Sequence, residues 1–187
     1  MERINLKIVT IFYAVLVVIS LMWAWVRGNP NVFVHPDMTG GVDDIQILKG
    51  IGLGLCTAIA FVVLSRLSSY YFEWARKLEI RFSDLLGPIT PFEIVVISVF
   101  SGVAEEMFFR GAMQPSIGLI PTTILFGALH IGPGRDFIPW TISATLVGGV
   151  LGYYFEATGS LAAPIACHSL INMINLLFIQ RHFRKNL

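Results

Sequence analysis

The chain has 187 residues, of which 55% are hydrophobic and 13% charged, with a formal net charge of +1. Soluble domains carry roughly 25% charged residues, so water is not the main solvent of this protein. The near-neutral balance leaves neither a basic surface for nucleic acid nor an acidic solvating tail. Cys56 and Cys167 are the only cysteines. Each lies in an apolar segment without C-x-x-C spacing, which reads as two reduced packing residues and not as a disulfide or thiolate site.

The first apolar run, Leu6 to Val26, is flanked by Arg3 and Lys7. It is longer than a signal-peptide core and no small-x-small cleavage site follows it, so a retained membrane helix is expected. Residues 27–46 have loop composition, and His35 within them reads as a solvated residue. A second span is expected over about Ile47 to Leu64, with Gly50, Gly52 and Gly54 allowing close helix approach. Ser68 to Leu86 mixes aromatic with basic residues and predicts an interfacial helix forming an elbow. A third span follows Pro88 and Pro91, from Phe92 to about Gln114. The fourth, about Ser116 to Gly132, is short enough to need protein shielding or a partly re-entrant path. The fifth covers about Phe137 to Glu156, with Thr145, Gly148, Gly149 and Gly152 on a small-residue face. The last covers about Ser160 to Gln180 and runs into a basic tail that contains His182.

This gives an all-α polytopic bundle of about six transmembrane helices plus an interfacial helix. It divides into an N-terminal two-helix region with the elbow (1–90) and a core (91–187), within a single domain overall. With six spans, Arg3, Lys7, Arg66, Arg76, Lys77, Arg81, Arg135 and the C-terminal Arg181, Arg184 and Lys185 all fall on one side. Lys and Arg bias then places both termini in the cytoplasm.

Ionisable side chains inside spans are costly and mark functional sites by default. The third span holds Glu105, Glu106 and Arg110. Adjacent helical residues point about 100° apart, so the two glutamates take different roles. Glu106 and Arg110, at i and i+4, are spaced to pair, which leaves Glu105 free for chemistry. The fourth span adds His130. The last adds His168 and Asn172, which share one face at i, i+4. At about 1.5 Å per residue, Glu105 lies about 15 Å from the turn near Pro115, His130 roughly 14 Å from Pro121 and His168 about 12 Å from Gly159. Three spans thus bring titratable groups to one layer, placed in the half of the membrane away from the termini. Such a layer suits peptide hydrolysis. A partly desolvated Glu105 accepts a proton from water while His130 orients that water, and His168 with Asn172 supplies donors for the developing oxyanion.

These residues resemble the CAAX-protease and bacteriocin-processing (CPBP, or Abi) family of intramembrane proteases, including type II CAAX prenyl endopeptidases and myxosortase-like members. Glu105-Glu106-x-x-x-Arg110, Phe126-x-x-x-His130 and His168-x-x-x-Asn172 match its three motifs in order, across Phe92 to about Asn175. The resemblance implies an all-helical intramembrane fold with the first glutamate as base. No cofactor is required in this reading. Family members have been described both as metalloproteases and as glutamate-dependent. There is no His-Glu-x-x-His helix here, but Zn²⁺ with Glu105, His130 and His168 as ligands and one open position is the metal alternative. The expected partners are the lipid bilayer and a protein substrate, membrane-anchored or exported, in a bacterial plasma (inner) membrane. The chain is shorter than the prenyl endopeptidases. Cleavage of lipidated cytoplasmic C-termini is one alternative function and a non-catalytic immunity or scaffold protein another. A proton-coupled carrier would need a polar path and not one layer, and a Cys167–His168 pair would face two ways.

Overall fold

The structure, a computed structural model, describes residues 4–185, with side chains described as far as Arg181. Arg3 and the side chains of His182, Arg184 and Lys185, which enter the sequence reading of charge, lie outside the described residues. The chain is all-helical, and among the described residues β pairing is limited to a single bridge between Val34 and Ser160.

Helix boundaries follow local chemistry. α1 spans Leu6–Val26, the bounds expected from its apolar run, and starts at Asn5, whose side chain accepts from the Lys7 N–H at 3.1 Å. α2 (Asp44–Tyr71) begins with a capping box in which Asp43 and Gln46 satisfy each other's backbone N–H groups. It runs past the expected end because Leu67 to Tyr71 continue its helical hydrogen bonding, and it turns only at the extended Phe72. α3 (Glu73–Leu86) is the elbow, closed by Gly87 at φ 62°. Arg66 at the end of α2 pairs with Glu79 of α3 and lies over Phe178 of α8, 4.5 Å from its ring centre, fixing the elbow against the bundle. α4 (Pro91–Glu106) starts with Pro at its first turn and a Thr90–Glu93 capping box. It continues without a break through a π-helical segment (Met107–Met113) into α5 (Gln114–Ile117). Gly118, at φ 89°, then reverses the chain into α6 (Leu119–Leu129). A 3₁₀ turn leads to α7 (Ile138–Thr158), ended by the left-handed Gly159, and α8 (Ala162–Lys185) completes the chain.

The expected count of six spans does not carry over. By length and apolarity three helices among the described residues can cross a membrane, α1, α2 and Ala162–Arg181 of α8. A fourth is reached only if α3 and the α4–α5 run, bent by 103°, count as one broken span. Three expected spans fall outside that set. α7, at 21 residues, is long enough but dilutes its apolar residues with Thr141, Ser143, Thr145, Gly148, Gly149 and Gly152. The α4–α5 run carries Glu93, Glu105, Glu106 and Arg110, so the residues that mark the site also lower its apolarity. α6 has 11 residues, about 16 Å of helix against a core of about 30 Å, so the shortness foreseen for the fourth span is more pronounced than expected.

Loops gather at two opposite ends. At one end Arg81 of the elbow pairs with Asp136 of the α6–α7 turn at 3.0 Å. At the other, the 27–43 loop joins the α7–α8 turn: the His35 N–H donates to Gly159 O (2.8 Å) and the Leu161 N–H to Phe33 O (3.0 Å). His35 is therefore not a solvated residue. Its ring packs edge-on to Phe155, centroids 5.1 Å apart, because the loop it occupies is tied down by backbone pairing. Small residues set the helix spacing. A side chain at Gly54 would collide with the Ala163 backbone of α8, and Gly50 also faces Ala163, whereas Gly52 meets nothing. Two of the three glycines in that run are thus packing residues.

Candidate active site

The π-helical segment follows directly on the two glutamates. Such segments insert an extra residue into a helical turn and recur at functional sites. Glu106 and Arg110 are fully buried. Arg110 Nη1 donates to Glu106 Oε1 at 3.3 Å, and Nε faces Oε2 at 3.2 Å as an ion pair without hydrogen-bond alignment. The guanidinium also donates from Nη2 to Gly148 O of α7 (2.8 Å) and lies over Phe126, 4.4 Å from the ring centre. A Cβ at Gly148 would stand 2.8 Å from Phe126 and 3.3 Å from Arg110 Nη2. Gly148 on the predicted small-residue face is therefore what admits the guanidinium.

Glu106 also reaches α8, where its Oε1 accepts from His168 Nδ1 at 2.7 Å. The carboxylate thus sits between Arg110 and His168, a link the helix-spacing argument did not foresee. It fixes His168 with Nδ1 toward Glu106 and Nε2 as the remaining ring nitrogen.

Glu105 points elsewhere, as adjacent residues on a helix must. Its Oε2 lies 3.7 Å from His130 Nε2, and the two side chains keep 15% and 18% of their surface accessible. His130 caps the C-terminal end of α6 and is not an interior helix residue. Its Nδ1 is 2.7 Å from Phe126 O. A carbonyl oxygen only accepts, so Nδ1 carries the hydrogen and Nε2 of the neutral ring is an acceptor. Glu105 Oε2 and His130 Nε2 are then two acceptors facing each other, and Oε2 has no hydrogen-bond partner. A water molecule can supply the missing hydrogens to both. The Phe126 ring lies between the two histidines, with centroids 4.3 Å from His130 and 6.0 Å from His168.

Asn172 stands one turn beyond His168 on α8, and its Nδ2 donates to Ser101 Oγ of α4 at 2.9 Å. One amide hydrogen is used there and one remains. The six residues singled out in the sequence therefore form two linked groups, Glu105 with His130 and Glu106 with Arg110 and His168, while Asn172 is tied to Ser101. Among the described residues no group of three or more His, Cys, Asp or Glu side chains is arranged to hold a metal ion.

Two participants escaped the sequence reading. Tyr13 of α1 places its hydroxyl 3.3 Å from Glu105 Oε1. Arg27, just past α1, donates to Ala112 O (2.8 Å) and Gly111 O (3.2 Å) at the end of the π-helical segment. A lone hydroxyl within an apolar span was the available signal for Tyr13. Nothing in the sequence marked Arg27, because the carbonyls it serves lie 84 and 85 positions along the chain. The layer sits near the middle of the α4–α5 run, with Glu105 about equally far from Pro91 and Ile117.

Residues 87–174, a little under half of the chain, match the family described as type II CAAX prenyl endopeptidase Rce1-like. All six polar residues lie within that segment, whereas Tyr13 and Arg27 lie outside it. "Uncharacterized protein YpbD" of Bacillus subtilis is 35% identical over 83 residues, covering 43% of this chain and 42% of that protein. The chain thus matches less than half the length of this relative. No solved structure matches.

Proposed function

We infer, from the match of residues 87–174 to the type II CAAX prenyl endopeptidase Rce1-like family, that the chain is an intramembrane endopeptidase in which Glu105 activates water. The observation that carries this reading is Glu105 Oε2, without a hydrogen-bond partner and 3.7 Å from His130 Nε2, two facing acceptors when the His130 ring is neutral. Water held between them gives its proton to Glu105 as its oxygen bonds to the peptide carbonyl carbon. The carbonyl oxygen becomes an oxyanion, for which the free Asn172 amide hydrogen and His168 Nε2 are the nearby donors. His168 serves there when it carries both ring protons, with Glu106 as counter-charge. The C–N bond then breaks, and the proton held by Glu105 passes to the departing amine. Arg110 and Glu106 touch no reacting atom in this scheme; they hold His168.

The substrate is a membrane-anchored or exported protein, because the acceptor pair lies within the helical bundle and a peptide bond must be brought to that depth. Lys and Arg bias favours cytoplasmic termini, with the elbow and the Arg135 turn on the same side. The test compares membrane proteomes of cells carrying the wild-type protein or Glu105→Gln at equal expression. Cleavage products present only with the wild type are expected, and their identity separates exported proteins from lipidated cytoplasmic C-termini. The same products in both strains would refute the glutamate base and favour a non-catalytic immunity or scaffold role.

A further inference from the structure

α1 lies outside the matched segment, and most of its surface is apolar and exposed, as for a helix facing lipid: Ile8, Ile11, Phe12, Val15, Val18 and Met22 are more than half exposed. One face behaves differently. Tyr13, Val17, Ser20, Ala24 and Arg27 follow helical spacing, and each of the last four is buried or packed toward the site helix. Val17 and Ala24 join Met107 in one apolar cluster, and Arg27 holds the Gly111 and Ala112 carbonyls. Trp23, beside this face, packs edge-on to Phe108 with centroids 5.9 Å apart and donates to Ser116 Oγ at 3.1 Å. α1 is therefore fixed in register against the π-helical segment, and that register brings the Tyr13 hydroxyl to Glu105.

A phenol in an apolar helix is costly to place in lipid unless its hydroxyl is paired. Here it donates to Glu105 Oε1 at 3.3 Å and also faces Ser101, the residue that receives the Asn172 amide. Ser101 and Glu105 are one turn apart on α4, so one hydroxyl from α1 meets both. Glu105 has two oxygens with different surroundings, Oε1 held by Tyr13 and Oε2 unpartnered and facing His130. No other side-chain hydrogen bond among the described residues restrains Glu105. Without the phenol its χ angles would be set by packing alone, on a residue that keeps some of its surface accessible.

We propose that Tyr13 is a positioning residue for Glu105: its hydroxyl holds Oε1 and thereby fixes the rotamer that presents Oε2 to water beside His130. It makes α1, outside the matched segment, a required part of the site. The inference rests on Glu105 being the general base. It also predicts that α1 cannot be exchanged for another apolar span of equal length without losing activity.

The test follows the cleavage products of the Glu105 comparison in cells carrying Tyr13→Phe, which deletes one oxygen, and Val17→Ala, which loosens the same face without touching Glu105. Misplacing a reacting group by about 1 Å costs on the order of a hundredfold. Product formation with Tyr13→Phe is expected to fall roughly ten- to a hundredfold, while Val17→Ala stays close to the wild type even where it lowers the melting temperature more. A second readout needs no substrate. The infrared difference between wild type and Glu105→Gln isolates the Glu105 carboxyl stretch, and Tyr13→Phe shifts that band while Val17→Ala leaves it. Wild-type processing and an unmoved band in Tyr13→Phe, with Glu105→Gln inactive, would overturn the proposal and leave the base intact. Unchanged processing in Glu105→Gln would remove the base, and this inference with it.

Discussion

Replacing Arg110 by Met tests whether the buried ion pair holds the site. Both partners are fully buried, and the guanidinium makes two approaches to Glu106 at 3.2 and 3.3 Å, a hydrogen bond to Gly148 O at 2.8 Å and a ring contact with Phe126 at 4.4 Å. Methionine fills much of the volume but leaves Glu106 with His168 as its remaining side-chain partner among the described residues and strips the Gly148 carbonyl of a donor. Removing one member of a buried pair costs about 3–5 kcal/mol, because the other charge stays desolvated. For a chain of this size each kcal/mol corresponds to roughly 2–4 °C, so melting in detergent, followed by tryptophan fluorescence, should fall by about 6–20 °C. The double variant Glu106→Gln/Arg110→Met removes both charges and should regain about 2 kcal/mol of that loss. A single variant melting within about 2 °C of the wild type, or a double variant whose loss equals the sum of the two single losses, would refute the coupling.

Gly148→Ala places a methyl group against Phe126 and the Arg110 guanidinium. Overpacking of this kind costs about 1–3 kcal/mol, and because Phe126 O holds His130 Nδ1, activity should fall by more than the melting temperature predicts. Equal activity per folded molecule would contradict that link. Arg27→Ala removes the side-chain donor to the Gly111 carbonyl, while the Ala112 carbonyl keeps the Ser116 hydroxyl, at about 1–3 kcal/mol for the Gly111 carbonyl if water does not replace it. Hydrogen exchange should then rise in 107–117 before other parts of the bundle. Exchange confined to the 27–43 loop would show that Arg27 serves the loop and not the π turn.

The helices and the identity of the polar layer were legible in the sequence because both rest on periodic or local signals. Apolar runs bound α1 to the residue, capping boxes begin α2 and α4, and i, i+4 spacing pairs Glu106 with Arg110. What could not be read depends on how helices turn about their own axes. The Glu106–His168 contact joins residues 62 positions apart, and no spacing rule reports which carboxylate of an adjacent pair faces α8. The count of six spans is not confirmed, for a related reason. A hydropathy criterion treats Glu105, Glu106 and Arg110 as evidence against a span, although they occur in a helix long enough to cross. His35 was misread because loop composition carries no record of tertiary pairing with Gly159.

The π-helical segment reconciles two demands that a regular helix would set against each other. Glu106 and Arg110 must share one face to pair, yet Arg110 must also reach Gly148 on α7 while Glu106 reaches His168 on α8. Widening the turn after Glu106 lets the guanidinium span both directions from one backbone. At the end of the segment the Gly111 and Ala112 carbonyls accept from Arg27, just past α1, and Ala112 also accepts from the Ser116 hydroxyl. The same helix that carries Arg27 to those carbonyls carries Tyr13 to Glu105. The family match, residues 87–174, holds all six polar residues, and α1 packs against that segment from outside it. A site helix excised with residues 87–174 alone would keep all six polar residues and lose both restraints from α1, one on Glu105 and one on the turn that orients Arg110.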